Sequence, residues 1–146
     1  SLSEFADRVG EIMPVISNEY VRHMANDFNK LNITLPQFFV LELLSHQGDS
    51  KMSDMAKAIS VTTAAVTGVV SRLVRDGYVC RTTDPRDRRI VIVRLTGAGT
   101  KIVKQMIAKK KEITIKIFGM ASQGERESYL RMLAHIHKHL LEQRAG

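Results

Sequence analysis

At 146 residues, 44% hydrophobic and 25% charged, the chain is long enough to bury one core, as a single domain or as two small lobes that share it. Its net charge of +7 is local: residues 51–111 hold 14 Lys or Arg against 4 Asp or Glu, the rest 8 against 11, a basic module on a mildly acidic frame that suits a polyanion. The lone Cys80 excludes an internal disulfide framework and a cysteine-rich zinc pattern, and no apolar run nears the length of a membrane span, which predicts a cytoplasmic protein with no membrane partner.

From Ser3 onward Phe5, Val9, Ile12, Ile16, Tyr20, Met24, Phe28 and Leu31 recur at steps of three and four. That is one face of a long amphipathic helix, and it must be covered. Pro14 lies inside the pattern, removes a backbone donor and crowds the carbonyl of Gly10, which predicts a kink or a helix start there. Thr34-Leu35-Pro36-Gln37 is a capping box with proline in the first turn; it opens a second helix, stopped by Gly48, with Phe38, Leu41 and Leu44 inward. Ser53 is placed to cap a short helix through about Ile59, and Thr62 or Thr63 to cap the next, which runs to Asp76 before Gly77 ends it. Met55, Ala56, Ile59, Val66, Val69, Val70 and Leu73 would pack these two helices together across a turn at Ser60 and Val61.

Residues 78–82 and 90–95 are rich in β-branched side chains and flank Asp84-Pro85, so they read as a hairpin. Cys80 on its first strand is expected to be a buried, inert thiol. Thr96-Gly97 opens a helix carrying Ile102, Val103, Met106, Ile107, Ile113 and Ile117 to about Phe118. Ser122-Gln123-Gly124-Glu125 is a further capping box, ahead of a helix with Tyr129, Leu133, Ile136 and Leu140 on one face. Two short helices and an arginine-rich hairpin, set between helices, make a mainly α (α+β) winged helix-turn-helix fold. A helix that starts with small hydroxylated residues can lie close against DNA bases, and the hairpin can reach a neighbouring groove.

This order, with Ala65-Val66-Thr67-Gly68, Arg72-Leu73, Asp76-Gly77-Tyr78-Val79, Arg81, Asp87-Arg88-Arg89 and Leu95-Thr96-Gly97-Ala98-Gly99, resembles the MarR family of bacterial and archaeal transcriptional regulators. The resemblance implies a homodimer whose first and last helices intertwine as a helical dimerisation lobe, residues 1–33 and 97–146. Residues 34–96 would then be the winged helix-turn-helix domain, and two such domains would straddle a palindrome in double-stranded DNA. It also implies a small lipophilic or phenolic effector, held in an apolar crevice between the first two helices and the fifth. The function expected is a ligand-responsive repressor; the alternative is a constitutive activator or architectural protein that uses the same DNA module without an effector.

Carried onto this chain, Thr62, Thr63, Ala64, Thr67 and Gly68 fall at the exposed start of the recognition helix, where hydroxyls can bond bases or phosphates and methyls can meet thymine. Capping is the other use of these threonines, and Thr62 can do both. Ser71 and Arg72, one turn on, are placed for phosphate. Arg86, nearest the hairpin tip, is the candidate for the minor groove. Asp87 is expected to pair with Arg88 or Arg89 and fix the loop, which makes at least one of those two structural rather than a DNA contact, both Arg88 and Arg89 standing as DNA candidates. Arg81 and Arg94, on the strands, are weaker phosphate candidates.

His135 and His139 are four apart on the last helix, a spacing that can bind zinc, but with no third ligand nearby they read, with His137, as surface or interface residues, and no metal or cofactor is expected. The seven methionines read as core gap-fillers and Lys109-Lys110-Lys111 as a solvated stretch. No phosphate loop, nucleotide-binding glycine pattern or nucleophile-base arrangement is present, which argues against an enzyme.

Overall fold

A computed structural model describes all residues, 1–146. In chain order the elements are α1 (Leu2–Leu31), α2 (Leu35–Gln47), β1 (Ser50–Lys51), α3 (Met52–Ala58), α4 (Thr63–Arg75), β2 (Val79–Thr83), β3 (Val91–Leu95), α5 (Gly97–Phe118) and α6 (Gln123–Ala145). The chain divides into two compact units, Ser1–Lys110 and Lys111–Gly146.

In the first unit α2 is the centre of the core. Its sequence is apolar nearly all round, and Phe38, Val40, Leu41 and Leu44 are all buried, as a helix packed on more than one side must be. Against it lie Met55 and Ala56 of α3, Val66, Val70 and Leu73 of α4, Val79 of β2, Val93 of β3 and Ile102, Val103 and Met106 of α5. Phe28, from the last turn of α1, packs its ring 5.3 Å from that of Phe38. The helix axes of α3 and α4 meet at 110°, within the range of helix-turn-helix pairs. The turn between them puts Ser60 in the left-handed region at φ 56°, with Val61 N–H donating to the Ala56 carbonyl at 3.0 Å.

The sheet has the order β1-β3-β2, antiparallel throughout. Arg81 stands opposite Val93 and Cys80 opposite Arg94, so Arg81 shares the face of the buried Val93 while Cys80 and Arg94 share the other. β1 escapes the sequence reading because two residues carry no alternation; its pairing, Ser50 with Val93 and Lys51 with Ile92, is decided by the free edge of β3.

Two sequence motifs prove to be one junction. Gly77, at φ 81°, ends α4 with its own N–H on the Val74 carbonyl and that of Tyr78 on the Leu73 carbonyl, the paired closure that a left-handed residue permits. Thr96 then ties the start of α5 to that turn: its hydroxyl donates to the Gly77 carbonyl at 2.6 Å and accepts from Gly99 N–H, and its own N–H donates to the Tyr78 carbonyl at 3.1 Å.

Four local expectations are corrected. Pro14 does not start a helix: α1 begins twelve residues earlier at Leu2, behind a Ser1–Glu4 capping box, and passes through the proline, because one missing donor does not stop a helix already propagating on both sides. Ser53 is not a cap; Lys51 holds the N-cap position of α3 with no side-chain bond, since β1 leads straight into the helix. Cys80 is half-buried rather than buried, on the sheet face away from the core. Met13, Met120 and Met132 are exposed, Met120 at 92%, so only part of the methionine set fills the core.

In the second unit Ser122 and Glu125 cap α6 reciprocally, and the Tyr129 ring stacks on that of Phe118 at 5.3 Å. No residue of α6 is buried; Leu130, Leu133, Ile136, Leu140 and Leu141 are all exposed. In α1 the same holds for Leu2, Phe5, Val9 and Ile12.

Candidate nucleic-acid interface

α4 separates its faces cleanly. Val66, Val70 and Leu73 are buried, whereas Thr63, Ala64, Thr67, Gly68, Ser71 and Arg72 are all exposed in two adjacent columns of the helix. Thr62, also exposed, is the N-cap and accepts from Ala65 N–H at 3.1 Å, so of the two threonines offered for capping it is the first that serves. The hydroxyls of Thr67 and Ser71 donate back to the carbonyls of Thr63 and Thr67, at 2.7 and 2.9 Å. With the protons so engaged, their oxygens remain as acceptors, and both residues are exposed. That chemistry suits base amino groups and thymine methyls better than phosphate oxygens, which can only accept.

Gly68 is informative by what does not surround it. Its φ is not positive, and no other part of the chain approaches within 4 Å of where a Cβ would stand. A glycine inside a helix costs about 0.5–1 kcal/mol relative to alanine, and nothing within this chain requires it.

In the wing, loop 84–90 closes on itself. Asp84 N–H donates to the Ile90 carbonyl, Arg86 N–H to Asp84 Oδ1 at 2.8 Å and Ile90 N–H to the Asp87 carbonyl. Asp87 takes Arg89, not Arg88: Arg89 Nε and Nη2 meet Asp87 Oδ1 and Oδ2 at 3.1 Å each, and Arg89 N–H adds a third bond at 3.0 Å. These side-chain bonds first, and the backbone bond second, hold the Asp87 carboxyl below the usual carboxylate range. A depressed pKa means the clamp is present at neutral pH and is lost only as pH falls through that lowered value. Arg86 and Arg88 are exposed and carry no ion pair. Arg94 is bound at 2.8 Å to Asp49 on the sheet face away from the core, and that carboxylate raises its pKa.

Two of the concavities in the first unit stand out by their linings. One, of about 430 Å³, runs between α3, α4 and the wing; Lys51, which the sequence reading passed over, and Ser53, which it took only for a cap, line it beside Thr63, Thr67 and Arg81. No spacing signal could have found them, because β1 and the pairing on β3 place them there. The other, of about 490 Å³, is apolar, with Met24, Phe28, Phe38 and Phe39 on its walls and Tyr20 and Lys110 at polar positions. Lys110 Nζ lies 3.1 Å from Glu42 Oε2 and 5.9 Å from the centre of the Phe38 ring. No group of histidine, cysteine or acidic side chains is arranged to hold a metal ion, and no single helix is long and apolar enough to cross a membrane.

Comparison with known proteins gives one consistent answer. The family model described as MarR family matches residues 33–91. The transcriptional repressor NicR of Pseudomonas putida is 36% identical over 101 residues, 69% of this chain and 64% of its own length. A structure described as a MarR family protein from Bacillus stearothermophilus superposes with a TM-score of 0.83 at 22% identity, covering 95% of this chain and 97% of that one. A structure of BpsR from Bordetella bronchiseptica, described in terms of regulation of its DNA binding by 6-hydroxynicotinic acid, is 30% identical with a TM-score of 0.72, covering 91% of this chain and 95% of that one.

Proposed function

Because the chain belongs to the MarR family of transcriptional regulators, we propose that it is a ligand-responsive repressor that binds a palindromic operator as a homodimer. The observation that carries the reading is the outer face of α4. Thr62, Thr63, Ala64, Thr67, Gly68, Ser71 and Arg72 are all exposed there, small enough to let the helix backbone approach base edges and polar enough to read them. Gly68 has its reason in that approach, and Arg86 and Arg88 supply cations from the wing. Of the wing arginines, Arg89 serves by holding the loop through Asp87.

One recognition helix reads only a few base pairs, so a second copy of the module is needed for a specific site. The apolar faces of α1 and α6 support the same conclusion, since exposed leucine and isoleucine in such number call for a partner surface. Residues 1–33 and 97–146 are the proposed dimerisation region and residues 34–96 the DNA-binding domain. The crevice lined by Met24, Phe28, Phe38 and Phe39 is the proposed effector site; its size and apolar walls fit a small lipophilic or phenolic molecule. An effector there releases DNA only by binding one spacing of the two recognition helices more tightly than the other.

Selection of bound duplex from a genomic pool, followed by light scattering of the protein alone and on the recovered site, tests the core of this reading. The expected result is a dyad-symmetric site and two chains both free and bound. A stable monomer that binds an asymmetric site would overturn it. Gly68→Ala gives a second check. It is expected to stabilise the fold by about 0.5–1 kcal/mol while weakening operator binding, two effects of opposite sign that thermal melting and titration read separately.

A further inference from the structure

We propose that the cleft between α3, α4 and the wing is a phosphate seat, which takes one phosphodiester of the DNA backbone and sets the register of α4 in the groove; this rests on the DNA-binding reading above. Lys51, Ser53, Thr63, Thr67, Arg81 and Arg89 line it around a volume of about 430 Å³, room for a phosphodiester. The cations come from three separate elements. Lys51 ends β1, Arg81 is in β2, and Arg89 enters from the loop already committed to Asp87.

Sheet register makes Arg81 the principal group. It shares the face of Val79 and Val93, both buried, and so belongs to the row that points at the helices. At its position the core has ended, and the guanidinium reaches past it to Ser71 of α4, with Nη1 3.4 Å from the Ser71 hydroxyl. Arg94, one strand over, points the other way and is taken by Asp49. Arg81 has no carboxylate partner, so its charge is available to an anion, and a forked guanidinium matches phosphate oxygens. Lys51, also exposed and without an ion pair, adds a second charge.

Asp54 lines the same cleft. An aspartate near a phosphodiester repels it, so the seat is weaker than its two free cations alone would make it. Such a site positions without choosing a sequence, since the backbone is the same for every base.

The test is the salt dependence of binding to two duplexes, the selected operator and an unrelated duplex of equal length, for the parent and for Lys51→Ala, Arg81→Ala, Arg81→Lys and Asp54→Asn. Lys51 and Arg81 are exposed, so these variants are expected to fold, and thermal melting checks it. Each alanine variant is expected to weaken both duplexes by about the same factor, on the order of tenfold at low salt, and to lower the slope of log affinity against log salt by about 0.9 per chain. Arg81→Lys keeps the slope, and Asp54→Asn tightens both duplexes. Unchanged slopes in both alanine variants, with the parent binding normally, would overturn the seat and leave the DNA-binding reading intact. Weakening confined to the operator would also overturn it, by making these residues sequence readers. A parent that binds neither duplex would overturn both.

Discussion

Gly99→Ala is expected to destabilise the protein by about 3 kcal/mol or more, enough to lower the melting temperature by about 10 °C at fixed protein concentration. A Cβ at this position would overlap the carbonyl oxygen of Tyr78, and would stand 2.9 Å from its carbonyl carbon and 3.1 Å from Leu95 Cδ2. The obstacle is backbone, which has no rotamer to escape into. Nor is the Tyr78 carbonyl free to move: it accepts from Thr96 N–H, and Thr96 in turn bonds Gly77 and Gly99. Relieving the clash must therefore open the α5 cap, the turn after α4, or both, and that turn aims the recognition helix. Gly97→Ala is the control, because nothing lies within 4 Å of its would-be Cβ. An unchanged melting temperature for Gly99→Ala would show that the junction yields without loss.

Arg86→Ala is expected to weaken operator binding by about 1–3 kcal/mol, the loss typical of one specific contact, with helical content and mass unchanged. The side chain is exposed at the tip of a loop that its own backbone helps to close through Asp84 Oδ1, so truncation removes a charge without unmaking the wing. The slope of log affinity against log salt should fall by up to about one per chain, and preference should relax at the outer positions of the site. Arg89→Ala acts by a different route. It breaks the clamp on Asp87, so its effect should be reproduced by Asp87→Ala, a change that removes a negative charge and by electrostatics alone would tighten binding. If Arg88→Ala abolishes binding while Arg86→Ala leaves it at the parent level, the tip contact belongs to Arg88.

The long elements were legible because their signals are local. Capping boxes at Thr34 and Ser122, the proline in the first turn of α2 and the apolar periods of α4 and α5 each act within one or two turns of helix. The face of α4 was legible for the same reason, since helical geometry alone separates residues 63, 64, 67, 68, 71 and 72 from 66, 70 and 73. Pro14 misled because propensity at one residue is weak against a helix of 30 residues.

By itself, then, the sequence determined the order of the helices and the hairpin, the helix-turn-helix with its wing, and which side of α4 meets water, all consequences of spacings of three, four or two residues. Tertiary structure alone decided that Arg81 and Arg94 point to opposite faces of one sheet, that Lys51 and Ser53 join Thr63 and Thr67 around one cleft, and that a Cβ at Gly99 would meet the Tyr78 carbonyl. The physical reason is separation along the chain. Asp49 meets Arg94 across 45 residues, Gly99 meets Tyr78 across a hairpin, and the two-residue β1 exists only because β3 offers it an edge. None of these has a period that could be read before the chain has folded.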